Sequence, residues 1–416
     1  ALTSYLLALA MFIPASGAVA DRYGSRRVFA GAIVVFIAGS LACSLARSLQ
    51  WLLVARFVQG VGGAMMMPVG RLVLLRNVSK DKLVDSLAWL MVPGLVGPML
   101  GPPIGGLLTT YLDWRWIFYI NVPIGLVGIV GALRSFPDDP PGAERRFDVP
   151  GFLLAAITLT GLVFGLETLS QPGRLAVAVA LLAMGFLAAL GYVHHWRRSA
   201  DPIVDLTLMD VPTYRLSVLG GLFTRIGQGA QPFLLSLLWQ VAFGVSAVVS
   251  GALAMMSSLG AILMKPFAQR LLARHGFRNV MIATGWINSA GFVLCAAFRP
   301  SWPLWLMGVV QLLWGFFASL QYMAYNSIAF ADVGHAKLSS ATSLYATMQQ
   351  VGLSLGVCAA ALAVRAGNGI AGTATLSNGV LGASLLAVGV VTMAAFRWNR
   401  RFARNAGDDL TSRASS

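Results

Sequence analysis

Acid is scarce in this chain. Its 416 residues hold 15 Asp and Glu against 30 Lys and Arg, for a formal net charge of +15. Charged residues of both signs together make only 11%, where a soluble domain carries about 25%. Cysteine is rarer still. Cys43, Cys295 and Cys358 stand far apart within apolar runs, so no disulfide framework or metal-ligand spacing is offered. They read as small buried apolar residues. The histidines His194, His195, His275 and His335 all fall between apolar runs. There is no G-x-x-x-x-G-K-[ST] phosphate loop and no H-E-x-x-H. No Ser/His/Asp set can be assembled either. These gaps argue against an enzyme, a metal site, a cofactor or an ATP-driven engine, and leave an ion gradient as the energy source.

What the chain has is apolar length. Hydrophobic residues make 57% of it, in repeated runs of the ~20 residues that cross a bilayer as a helix. The runs read as thirteen spans, roughly 2–20, 28–46, 51–75, 86–110, 116–133, 151–169, 175–193, 216–238, 245–266, 280–298, 303–330, 338–364 and 376–396. Basic residues alternate with them. One set of loops holds Arg22, Arg26, Arg27, Arg76, Lys80, Lys82, Arg134, Arg145, Arg146, Arg197, Arg198, Arg270, Arg274, Arg278 and Lys337. The tail adds Arg397, Arg400, Arg401, Arg404 and Arg413. The opposite loops offer Arg47, Arg115, Arg174, Arg299 and Arg365. This roughly fourfold bias places the first set in the cytoplasm. The basic charge is thereby explained by membrane orientation, not by nucleic acid. The expected location is the cytoplasmic (inner) membrane, multi-pass, with the C-terminus cytoplasmic. The chain starts inside an apolar run, "ALTSYLLALAMF", with no initiator Met and no signal-peptide features. The expectation is a truncated chain whose first helix precedes Ala1.

The chain also resembles itself at an offset of about 250 residues. "LVDSLAWLMVPGLVGPMLG" (83–101) aligns with "LSSATSLYATMQQVGLSLG" (338–356), matching Leu83, Gly97 and Gly101 to Leu338, Gly352 and Gly356. "DRYGSRR" (21–27) aligns with "ARHGFRN" (273–279), matching Arg22, Gly24 and Arg26 to Arg274, Gly276 and Arg278. Parallel membrane halves of this kind frame a substrate site between them, near the bilayer midplane.

Four motifs follow in order. "GAVADRYGSRRVF" (17–29) joins two spans through Asp21, Arg22, Gly24 and Arg26. "LLVARFVQGVGGAMMMP" (52–68) sets Arg56 and Gln59 inside a span. "GLVGPMLGPPIGG" (94–106) carries Gly97, Pro98, Gly101, Pro102, Gly105 and Gly106. "DWRWIFYINVPIG" (113–125) comes next. Together they resemble the major facilitator superfamily, in its fourteen-helix drug:proton antiporter branch of EmrB/QacA type. "MMMPVGRLVLLR" (65–76), "RIGQGAQPF" (225–233) and "MKPFAQRLLARHGFRNVMIAT" (264–284) are similar to the MdtD-type subgroup, whose members are named as multidrug exporters. The resemblance implies an all-α integral membrane protein with two pseudo-symmetric six-helix bundles and two extra central helices. Residues 1–134 form the first bundle, 135–214 the extra helices and linkers, 215–396 the second bundle and 397–416 a basic cytoplasmic tail. It also implies protons as the driving ion. Small-molecule substrate, protons and lipid are the expected partners, and nucleic acid is not. A periplasmic adaptor cannot be read from the chain.

Gly97, Gly101 and Gly105 recur every four residues. They share a helix face that lets a neighbouring helix approach, while Pro98, Pro102 and Pro103 favour a bend. The resemblance to the antiporters implies that this helix forms a seam that gates the cavity.

Ionisable residues inside spans are costly and default to function. Arg56 can bias a carboxylate's proton affinity or bond backbone carbonyls. Arg225 either lines the cavity or pairs with an acidic residue. Lys265 and Arg71 lie late in their spans and read more simply as interfacial, though Lys265 stays a transport candidate. Glu167 reads as interfacial rather than as a proton site. Gln228, Gln231, Gln321, Tyr322, Tyr325 and Asn326 are candidates to line a cavity. The first of two readings is a proton-coupled efflux antiporter of drug-like amphiphiles or organic anions, acting by alternating access. The cations favour an anionic or neutral cargo. The second is a transporter-like sensor without net transport.

Overall fold

In the computed structural model the described residues are 2–137, 147–169, 171, 173–371, 377–403 and 405–410. Arg145, Arg146, Arg404 and Arg413 lie outside them, as do the side chains of Pro98, Pro102, Pro103, Gly105 and Gly106. Every expected span is helical. The first half comprises α1 (Leu2–Phe12), α2 (Ser16–Tyr23), α3 (Ser25–Ser44), α4 (Leu49–Asn77), α5 (Lys80–Tyr111), α6 (Trp116–Tyr119) and α7 (Asn121–Ser135). A central pair follows, α8 (Val149–Leu169) and α9 (Leu175–Trp196). The second half comprises α10 (Pro212–Leu237), α11 (Ala247–Met264), α12 (Ala268–His275), α13 (Phe277–Ala296), α14 (Leu304–Ile328), α15 (Leu338–Ala371) and α16 (Asn378–Asn399). Among the described residues 11 helical stretches are long and apolar enough to cross a membrane. The two other expected spans are α5 and α10, helices of 32 and 26 residues. In α10 the polar Arg215, Arg225, Gln228 and Gln231 dilute the apolar character.

The internal repeat is visible as local structure. A 3-10 turn with a proline at its centre (Ile13–Ala15; Lys265–Phe267) leads into an eight-residue helix. That helix ends on a glycine with φ +85° (Gly24) or +75° (Gly276), and a 20-residue helix follows. A side chain would be strained in this backbone region, which is essentially reserved for glycine.

In the first half α4 packs against α1 and α3, and α3 against α7. In the second, α10 packs against α15 and α16, α11 against α14, and α13 against α14 and α16. Small residues permit the closest of these approaches: a Cβ on Gly315 would fall 2.0 Å from the Ser257 carbonyl oxygen of α11. The pair α8–α9 packs together at the flank, where α8 touches both α1 and α15.

Of the glycines expected to form a seam, Gly97 and Gly101 are not packed against a neighbouring helix, and the surroundings of Gly105 lie outside the described residues. A Cβ on Gly97 or Gly101 would meet nothing within 4 Å. The aligned glycines of the second half are packed: a Cβ on Gly352 would lie 2.7 Å from Arg225 Cβ, and one on Gly356 2.2 Å from Ile226 O. Their neighbour is α10, and the described residues of the first half hold no element that corresponds to it. α5 runs as one helix, Lys80–Tyr111, through its prolines.

Candidate functional site: a basic cavity between the halves

A cavity of about 460 Å³ opens between the two halves. The first half contributes Met67 from α4 and Met91, Gly94 and Leu95 from α5. The second contributes Arg225, Gln228 and Gln231 from α10, Ser257, Ser258 and Ala261 from α11, Lys265 just beyond it, Trp314, Ser319 and Tyr322 from α14, and Leu353 from α15. No Asp or Glu lines it among the described residues.

Its charge is concentrated. Arg225 is 8% exposed and Lys265 2%. The Arg225 guanidinium lies 3.8 Å from the centroid of the Tyr322 ring, and its Nη1 donates to Gln228 Oε1 at 3.2 Å. Arg71, Arg225 and Lys265 all lie within electrostatic reach of Tyr322. Arg71 and Lys265 therefore do not snorkel to an interface as their late positions implied. Arg71 is 1% exposed, with its guanidinium over Tyr345 at 5.3 Å and Phe330 at 5.9 Å. Its Nε and Nη1 have no hydrogen-bond partner among the described residues. Burial of an unpaired ion costs several kcal/mol, of which a desolvated cation–π contact recovers about 2 kcal/mol. Arg225 and Lys265 thus line the cavity, and Arg71 is buried nearby, with no lining carboxylate among the described residues.

The polar candidates divide. Gln228, Gln231 and Tyr322 line the cavity, and Gln231 Nε2 donates to Gln311 Oε1 at 2.9 Å. Gln321, Tyr325 and Asn326 are turned into the second half instead. Gln321 accepts from Asn288, the Tyr325 hydroxyl donates to Asn399, and Asn326 Oδ1 accepts from Gln349 Nε2 at 3.2 Å. The 100° step between adjacent residues turns Gln321 away from Tyr322, while Tyr325 and Asn326, one turn further along α14, are held by Asn399 and Gln349, so only Tyr322 of this group lines the cavity.

Arg56 and Gln59 belong to a different network, inside the first half. Arg56 Nη1 donates to Gln59 Oε1 at 3.0 Å, and Gln59 Nε2 to Ser40 Oγ at 2.7 Å. The Arg56 guanidinium lies 4.6 Å from the Phe118 ring centroid. Glu167 is exposed near the end of α8. Cys43, Cys295 and Cys358 are buried and free.

Between the cavity and the face that bears the basic loops the halves are closed together. Asp21 of α2 is paired with Arg76 of α4 at 2.6 Å and accepts a hydrogen bond from Ser339 of α15. Gly17 N donates to Ser343 Oγ at 2.8 Å, and Ser16 Oγ lies 3.1 Å from the same oxygen. A Cβ on Gly17 would sit 2.4 Å from Ser339 O. Gln269 Nε2 of α12 donates to Asp81 O of α5 at 2.8 Å. Arg26 donates to Leu133 O and Arg22 lies over Tyr23, both contacts within the first half.

Sequence reasoning missed the parts played by Tyr345, Ser339 and Ser343. A signal was present: all three lie in the repeat-bearing stretch 338–356, opposite the motif that holds Asp21.

A family model of the Major Facilitator Superfamily matches residues 1–209 and 217–411. MdtD of Serratia proteamaculans strain 568, a protein named for multidrug resistance, is 36% identical over 371 residues, covering 87% of this chain and 76% of the relative. Its namesake in Salmonella paratyphi A is 37% identical over 364 residues, covering 86% and 76%. Among solved structures, the human organic anion transporter MFSD10 aligns with TM-score 0.70 at 15% identity, covering 95% of this chain and 82% of that one. The Escherichia coli fucose:proton symporter FucP aligns with TM-score 0.61 at 13% identity, covering 96% and 89%. At such identities the solved structures speak for the fold alone. With the two helical halves, the cavity between them and a family match along nearly its whole length, this chain belongs to the major facilitator superfamily.

Proposed function

We propose that this chain exports organic anions or neutral amphiphiles by alternating access, in exchange for protons, with its basic-loop face in the cytoplasm of an inner membrane. The observation that carries the reading is the cavity lined by Arg225 and Lys265 with no lining carboxylate among the described residues. The positive-inside bias supports the orientation. The relatives named for multidrug resistance support export of drug-like molecules. Arg56, Gln59, Arg225 and Lys265 are the proposed coupling and transport residues. On this orientation the described state is shut toward the cytoplasm.

The test is pH-gradient-driven uptake into everted vesicles containing the protein, with a tricarboxylate and a cationic dye side by side. The expected result is tricarboxylate uptake that falls about tenfold or more in Arg225→Ala, since an unpaired charge partner costs at least that much binding. Dye uptake alone, indifferent to the substitution, overturns the anionic reading in favour of a cation exporter. No pH-dependent uptake of either favours a sensor.

A further inference from the structure

Arg71 belongs to the first half, yet its guanidinium is seated among rings of the second. The socket is built from Phe330 and Tyr345, edge to face at 5.4 Å, with Tyr214 6.3 Å from each. Tyr214 is itself fully buried and held by its hydroxyl, which donates to Ala341 O at 2.8 Å. Arg71 lies one helical turn from Met67, which lines the cavity, so the two share a face of α4. It is also within electrostatic reach of Arg225. Two of its charged donors are buried with no partner among the described residues.

Opening the basic-loop face requires α15 to part from α2 and α4, because those helices form the closure. Parting them would withdraw Arg71 from its socket, since Phe330 and Tyr345 belong to the second half. We propose that Arg71 is a state-dependent anion-affinity residue: caged by Phe330 and Tyr345 while the basic-loop face is shut, and released beside Arg225 to hold the substrate anion when that face opens. The proposal rests on the anion reading above. Its consequence is directional. The cavity gains a free guanidinium when it faces the basic loops and hides it when it faces the other way. A carrier built so binds its anion tightly on the basic-loop side and loosely on the opposite side, as export demands.

Two measurements test it. Tricarboxylate affinity is measured from each face, in everted and right-side-out vesicles. Arg71→Gln should raise KM at the basic-loop face about tenfold and leave affinity at the opposite face unchanged, while Arg225→Gln weakens both. Arg71→Lys keeps the charge and should recover most of the loss, which separates charge from packing. Independently of any substrate, Arg71→Cys is treated with a membrane-impermeant thiol reagent from the basic-loop face, with the unsubstituted protein as the blank. Labelling shows release from the socket. Absence of labelling under all gradients overturns the proposal, as does an equal loss of affinity at both faces in Arg71→Gln. Labelling together with dye-only transport sinks the anion reading and leaves the release of Arg71 standing.

Discussion

Asp205 lies outside the membrane and feels opposing pulls. Burial pushes its carboxyl up, but hydrogen bonds from Thr207 and the ammonium of Lys337 outweigh burial and hold it below the usual carboxylate range. Lys337 Nζ stands 3.1 Å from Asp205 Oδ2 and also donates to Thr207 Oγ1 at 2.6 Å, tying the loop after α9 to the start of α15. A carboxyl depressed in the folded state stabilises it above the unfolded pKa of about 4 and stops doing so as pH falls through the lower folded value. Lys337→Ala should therefore lower the melting temperature in detergent at pH 7 by the equivalent of roughly 0.2–1 kcal/mol. The gap between variant and parent should close as the pH is taken below about 4. A gap that persists in acid would mean that Lys337 acts through packing, not through this pair.

At the scale of elements, the repeated turn–helix–glycine–helix unit makes a paired prediction. Gly24 and Gly276 occupy nearly the same backbone conformation, with φ +85° and ψ 134° against φ +75° and ψ 151°. Alanine at either place should cost about 1–3 kcal/mol, read as a drop in melting temperature. Nothing lies within 4 Å of a Cβ on Gly276, so its cost is backbone strain alone. If Gly276→Ala is neutral, the positive φ is not what holds that position to glycine.

For the whole molecule, alternating access makes the contact between α2 and α15 transient. Ser16 Oγ and Ser343 Oγ are 3.1 Å apart, close enough for a disulfide in the double variant Ser16→Cys, Ser343→Cys to trap the described state. Oxidation should stop transport and reductant should restore it. The native thiols are buried, so the unsubstituted protein serves as the control. Undiminished transport by the oxidised, cross-linked form would mean that the halves need not part there.

Much of this protein was set by its sequence alone, for physical reasons that can be named. Apolar runs of bilayer length determine helices whatever packs beside them, because lipid leaves backbone groups no other partner. The repeat is legible because a positive φ at Gly24 and Gly276 admits almost nothing but glycine. The scarcity of acid is consistent with a cavity that no Asp or Glu lines among the described residues. Which face of a helix meets which neighbour was another matter. Arg71 and Lys265 look interfacial by position along their spans, yet both are buried between the halves. Gln321 and Tyr322 are neighbours in sequence, yet only Tyr322 lines the cavity. Arg56 and Arg225 look equivalent as intramembrane cations, yet one lies inside the first half and the other in the cavity. A glycine face predicts that some helix can approach, not which one does, and Gly352 and Gly356 have met α10 where Gly97 and Gly101 have met nothing. Those assignments depend on rotation about each helix axis and on partners hundreds of residues away, and only the assembled bundle decides them.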